Sequence, residues 1–187
     1  DEERIKALTT FLNRFLTGGV TDLARKVFIQ SRVAIIPKAN GDIRPLGIGG
    51  ALYRLMNRAV LRKVLPDLRK VLQPTQFAVG LTDGGAILAQ IMGHIHEEGV
   101  LREGEGLGVG KDIVKVDIKN AYNPIRLDAV YQALRKHHPS LIRWFLLSHV
   151  GGSAQFSGRG VEFCTTMRIR QGDPLASFFF ALGILRA

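Results

Sequence analysis

The sequence predicts an α+β protein, and three observations carry that reading. Apolar residues recur at helical spacing in several segments. Two extended runs flank the turn signal Asn40-Gly41, and strand-like and helix-like stretches mix without regular βαβ alternation. With 187 residues and 46% apolar composition, the chain can bury a sizeable core as one large domain or two small ones.

Each element follows from local pattern. Ile5, Leu8, Phe11, Leu12, Phe15 and Leu16 predict an amphipathic first helix ended by Gly18-Gly19, and Thr21 or Asp22 caps a short second one. Residues 32–49 predict a hairpin about Asn40-Gly41. Residues 51–65 form a helix that Pro66 breaks or restarts. A turn-rich bend at 80–85 leads into a helix over 85–96, and a glycine-rich loop over 103–110 into a strand over 112–117. Helices follow over 127–136 and 140–149, then two short extended runs within 155–169. A last helix starts near Asp173 or Pro174.

Composition narrows the partners. A net charge of +10 and a pI near 10.3 favour polyanions, nucleic acid before an anionic membrane. The alternative is that an acidic complement lies on further chain. Cys164 is the single cysteine, which excludes an intrachain disulfide and a cysteine metal cluster and fits a reducing compartment. No signal segment opens the sequence, and the apolar run 176–185 is about half a bilayer span, so it reads as a core helix rather than a membrane anchor. The sequence starts at Asp1 without methionine and stops at Ala187 inside that helix, so both ends read as cut.

Two stretches resist a purely structural reading. In VKVDIKNAYN (114–123), Asp117 closes an apolar strand, where a carboxylate at a sheet rim reaches solvent and a hard cation such as Mg²⁺; a helix cap or turn is the plain alternative. In RIRQGDPLASFFFALGI (168–184), a helix start explains Asp173-Pro174, while Gln171-Gly172 beside it permits close backbone approach to a ligand. Other signals fail. Gly104, Gly106, Gly108 and Gly110 lie between helix and strand, the reverse of a dinucleotide fingerprint. His94 and His96 diverge on a helix, and His137-His138 reads as exposed charge at a helix end.

VDIKNAYN resembles motif A, and RQGDPLAS motif B, of reverse transcriptases of the non-LTR retrotransposon type. IPKANGDIRPLGIG resembles the fingers hairpin of that family, and PTQFAVGLTDGG (74–85) the segment that precedes motif A. The four blocks stand in the family's order from about residue 32 onward. The resemblance implies a right-hand polymerase fragment in which antiparallel sheet elements pack with helices. Residues 1–110 would be the fingers region, with the 32–49 hairpin, and residues 111–187 a partial palm with motifs A and B.

The resemblance also implies roles. Asp117 would be a catalytic aspartate that binds metal together with the Ile118 carbonyl, in two-metal nucleotidyl transfer of dNTPs to a primer 3′ end. Tyr122 would exclude a ribose 2′-hydroxyl; otherwise it is a core aromatic. Lys38 and Arg44 would close on the triphosphate, a point charge and a fork suited to phosphate, or else remain solvated turn charges. Gln171 and Gly172 would line the nucleotide pocket. Arg54, Arg58, Arg62, Lys63 and Arg170 are template-binding candidates, with solvated helix charge as the alternative for the first four. The implied partners are RNA template, DNA primer and dNTP, the cofactor Mg²⁺, and the location intracellular, nuclear or ribonucleoprotein-associated.

The sequence departs from the family pattern. It holds no Asp-Asp pair, so the motif C hairpin and thumb are expected to be missing and the chain inactive alone. Uncovered sheet edge and helix face would then invite a dimer or partner chain. Arg168, Lys119 and Ala176-Ser177 stand where glycine, a small polar residue and Gly-Pro are usual. The alternative function is a domesticated, non-catalytic remnant serving as an RNA-binding or structural ribonucleoprotein component. An RNA-dependent RNA polymerase is disfavoured by Tyr122.

Overall fold

The computed structural model describes residues 1–73, 75–104, 114–117, 121–122, 125–157, 160, 162–165 and 169–185. Helix α1 (Glu2–Leu16) ends at the glycine pair, with the Gly19 N–H donating to the Arg14 carbonyl at 2.8 Å. Thr21 caps α2 (Asp22–Ile29), its hydroxyl accepting from the Ala24 N–H at 3.2 Å. Strands β1 (Ser31–Pro37) and β2 (Ile43–Gly49) form the expected antiparallel hairpin, in register from Ser31↔Gly49 to Pro37↔Ile43. At its tip Gly41 has φ +82°, and the Lys38 N–H donates to the Asp42 carbonyl at 2.7 Å.

Helix α3 (Ala51–Leu72) runs on through Pro66, a correction to the expectation that the proline breaks or restarts it after residue 65. Val64, Leu68 and Leu72 are buried at four-residue intervals across the proline, while Pro66 and Arg62 are exposed. The proline lies on the exposed side of the helix, and burial of the opposite stripe carries the helix through.

Helices α4 (Gly84–Gly104), α5 (Leu127–His137), a 3₁₀ turn (Pro139–Leu141) and α6 (Ile142–His149) come next. Strands β3 (Ser153–Phe156) and β4 (Glu162–Thr165) and helix α7 (Ala176–Ile184) close the order. Helix α7 starts slightly later than Asp173-Pro174, which form the turn before it. It is the expected core helix, with Phe178, Phe179, Ala181 and Leu182 buried and its length packed on α5. No helix among the described residues is long and apolar enough to cross a membrane.

The four strands form one sheet in the order β2-β1-β3-β4. The architecture is α+β as expected, but the sheet is not wholly antiparallel: β1 pairs with β3 in parallel, Ser31 opposite Gln155 and Arg32 opposite Phe156. A second correction concerns the strand expected over 112–117. Residues 114–117 pair with no strand among the described residues, and Val114 and Val116 are 79% and 77% exposed. Alternating valines favour extended backbone, but a strand also needs a hydrogen-bonding neighbour, and the sheet formed elsewhere. The rest of that strand and most of the glycine-rich loop lie outside the described residues.

Aromatic rings connect the helices. Phe15 stacks on Phe28 at 3.9 Å between centroids, and Phe28 meets Tyr53 at 6.0 Å and Trp144 at 6.4 Å. Side chains from α1, α2, α3 and α6 thus share one core with α5 and α7.

Candidate functional site

The Gln171-Gly172 turn sits against β2. The Gly47 N–H donates to the Gln171 carbonyl at 2.8 Å. Gly172 has φ +103°, and a Cβ there would lie 3.0 Å from the Gly47 carbonyl oxygen. The close approach that this glycine permits is therefore made by the hairpin backbone, where a ligand was expected. Motif-like blocks more than a hundred residues apart in sequence meet at this junction.

A buried polar network anchors both ends of the turn. Asp173 accepts from the Tyr53 hydroxyl, from Asn57 Nδ2 at 3.0 Å and from the Leu175 N–H at 2.8 Å. Asn57 Oδ1 in turn accepts from the Trp144 indole at 2.8 Å. Arg170 donates to the Ile29 carbonyl and, at 2.6 Å, to the Tyr53 hydroxyl, and its guanidinium lies over the Tyr53 ring at 4.9 Å. Arg170 and Asp173 face each other at 3.7 Å. Burial, with the Asp173 carboxylate second, pushes the Tyr53 phenol far above its ordinary range, so it remains a donor.

This corrects the reading of Arg170 as a template contact. Its side chain is buried, and its charge is balanced inside the protein. Asp173 is likewise more than a helix start. The signal for the network lay on α3: Asn57 falls on the same helical stripe as Tyr53, Val64 and Leu68, and a polar residue in an apolar stripe needs internal partners.

Tyr122 is half-buried beside α7. Its hydroxyl lies 3.0 Å from Ser177 Oγ, and its ring is 5.5 Å from that of Phe180. Lys38 is half-buried and Arg44 exposed. Arg44, on β2, pairs with Ile36, and Lys38 lies just past the end of β1 at the hairpin tip. Arg58, Arg62 and Lys63 are exposed along α3, whereas Arg54 is half-buried with its Nε lacking a partner. Asp117 is exposed, and no described hydrogen bond or ion pair ties it to Tyr122 or to the turn. Ile118 lies outside the described residues.

Residues 36–186 match the family model described as reverse transcriptase (RNA-dependent DNA polymerase). The chain belongs to the reverse transcriptase family. It is of the retrotransposon type: over 159 residues it is 25% identical to the retrotransposable element SLACS 132 kDa protein of Trypanosoma brucei gambiense, a match covering 82% of this chain. The chain spans 12% of that relative's length.

Reverse transcriptases act with divalent ions, and the donor set here can be tested against that. Asp117 supplies one exposed carboxylate, and no group of three His, Cys, Asp or Glu able to hold a metal occurs among the described residues. One carboxylate does not hold two mutually repelling ions about 3.5–4 Å apart, so the described residues do not fit a two-ion centre.

Near the turn a further titratable group is buried in this member of the family. His149 lies between Phe145 and Phe179, with ring centroids 5.3 and 5.2 Å away. Its Nδ1 is 2.7 Å from Ser148 Oγ, and its Nε2 has no partner. Burial first, opposed by Asp173, lowers its pKa to about 4.

Proposed function

We propose that this chain carries the nucleotide- and template-facing surface of an RNA-directed DNA polymerase of the non-LTR retrotransposon type, which adds dNTPs to a primer 3′ end. One observation carries the reading: the Gly47–Gln171 hydrogen bond at 2.8 Å, which joins the basic hairpin to the glutamine-glycine turn. In this reading residues 1–110 act as fingers and residues 111–187 as palm.

The roles follow from chemistry. Lys38 and Arg44, near the hairpin tip, meet the triphosphate. Gln171 and Gly172 bound the nucleotide on the other side. The Tyr122 hydroxyl contacts Ser177 Oγ and its ring lies tilted against Phe180, contacts that favour this placement of the ring beneath a sugar. A ring in that place excludes a 2′-hydroxyl by volume. Arg58, Arg62 and Lys63 follow the template phosphates, with Arg54 at the head of the same helix. Asp117 presents its carboxylate to the reacting end. Asp117 and the Ile118 carbonyl would be two of the oxygen donors to Mg²⁺, and a complete set would need donors beyond the described residues.

The test is RNA-templated primer extension by the protein at its natural length. Wild type extends with dNTPs and discriminates against rNTPs, and Tyr122→Ala raises relative rNTP incorporation by about tenfold or more. Unchanged sugar choice in that variant removes the gate; absence of templated extension by wild type removes the function.

A further inference from the structure

We propose that the Tyr53 hydroxyl is a positioning group: it holds the Gln171-Gly172 turn in register with β2 of the hairpin, and so sets nucleotide affinity. The inference rests on the polymerase reading for its second half only.

Three contacts meet at this one side chain. The hydroxyl donates to Asp173 Oδ2 and accepts from Arg170 Nη2 at 2.6 Å, and these two residues immediately bracket Gln171-Gly172. The ring lies against β2 at Gly49, where a Cβ would come within 2.6 Å of Tyr53 Cδ1, so only glycine leaves room for it. Two residues earlier on the same strand face, Gly47 holds the Gln171 carbonyl. Tyr53 is therefore in contact with the strand and with both flanks of the turn that the strand binds.

The hydroxyl is separable from the packing. Without it, Asp173 keeps Asn57 and the Leu175 N–H, and Arg170 keeps the Ile29 carbonyl. Neither charge is stripped of partners, and the ring still fills its place against Phe28 and Trp144. What is lost is the atom that ties both flanks to α3. A group that only stabilised the core would shift every part of the molecule alike; a positioning group loosens the junction first.

Tyr53→Phe tests this with two readouts. The first is amide hydrogen exchange in the 187-residue protein. The Gly47 amide should exchange at least about tenfold faster, while amides at 68–72 of α3 keep their wild-type rates. Gly49→Ala, which displaces the ring and leaves the hydroxyl in the chain, should accelerate the same amide and serves if Tyr53→Phe does not fold. A Gly47 amide at its wild-type rate, or all amides accelerated in proportion, overturns the proposal. The second readout is steady-state dNTP addition by the natural-length protein. The dNTP KM should rise about fivefold or more, with kcat and template–primer affinity changing less. Faster exchange at Gly47 with an unchanged dNTP KM overturns the nucleotide half and with it the nucleotide-facing reading of the turn, and leaves the latch standing.

Discussion

The Gly47 N–H donates to the Gln171 carbonyl at 2.8 Å, and this bond fixes how the hairpin meets the turn before α7. The close approach depends on glycine at position 172. A side chain at Gly172 would require a left-handed backbone at φ +103° and would press on the Gly47 carbonyl at 3.0 Å. Gly172→Ala should therefore destabilise the protein by about 1–3 kcal/mol, read as a lower urea midpoint at unchanged slope. A wild-type midpoint would show that the turn relaxes freely away from the strand.

Asp173→Ala should cost more, about 3–5 kcal/mol, because it leaves Arg170 as an uncompensated buried charge and strips Tyr53 and Asn57 of their acceptor. Equilibrium unfolding in urea measures it. A loss below about 1 kcal/mol would mean that the network contributes little.

How much of this was legible in the sequence differs by element. The Thr21 cap, the Asn40-Gly41 hairpin and the apolar last helix were readable because each depends on neighbours within a few residues. Pro66 misled because the local penalty is visible in sequence and the buried stripe that overrides it is not. Residues 114–117 misled for the converse reason: alternation was visible, and the missing strand neighbour was not. The Tyr53–Asp173 hydrogen bond joins residues 120 apart, and Asp-Pro before an apolar run reads as a helix start by itself. Arg170 read as a template contact because most arginines reach the surface; its burial depends on partners from α2 and α3.

His149 predicts an acid-sensitive fold. Its folded pKa of about 4 lies below the ordinary 6.5, so the unfolded chain binds the proton more tightly. The stabilisation is complete above pH 6.5, falls as pH drops through that window, and is lost by about pH 4. It amounts to about 3 kcal/mol. Urea titrations at pH 7.5 and 4.5 should show that loss, and His149→Phe should remove this part of the slope. The same slope in the variant would assign the effect to other groups.

Binding of single-stranded RNA to the chain should be weak and should fall steeply with salt, given the +10 charge. Arg58→Gln and Arg62→Gln should each reduce the slope of log affinity against log salt by about 0.7, alike for all RNA sequences. Fluorescence anisotropy at several salt concentrations measures this. Unchanged slopes would move the template path off α3.

The most direct test concerns Asp117. In RNA-templated primer extension by the natural-length protein, Asp117→Asn should reduce dNTP addition by about a hundredfold or more, with thermal midpoint and template–primer affinity unchanged. Extension at the wild-type rate by that variant would contradict the catalytic role of this carboxylate and the polymerase account built on it.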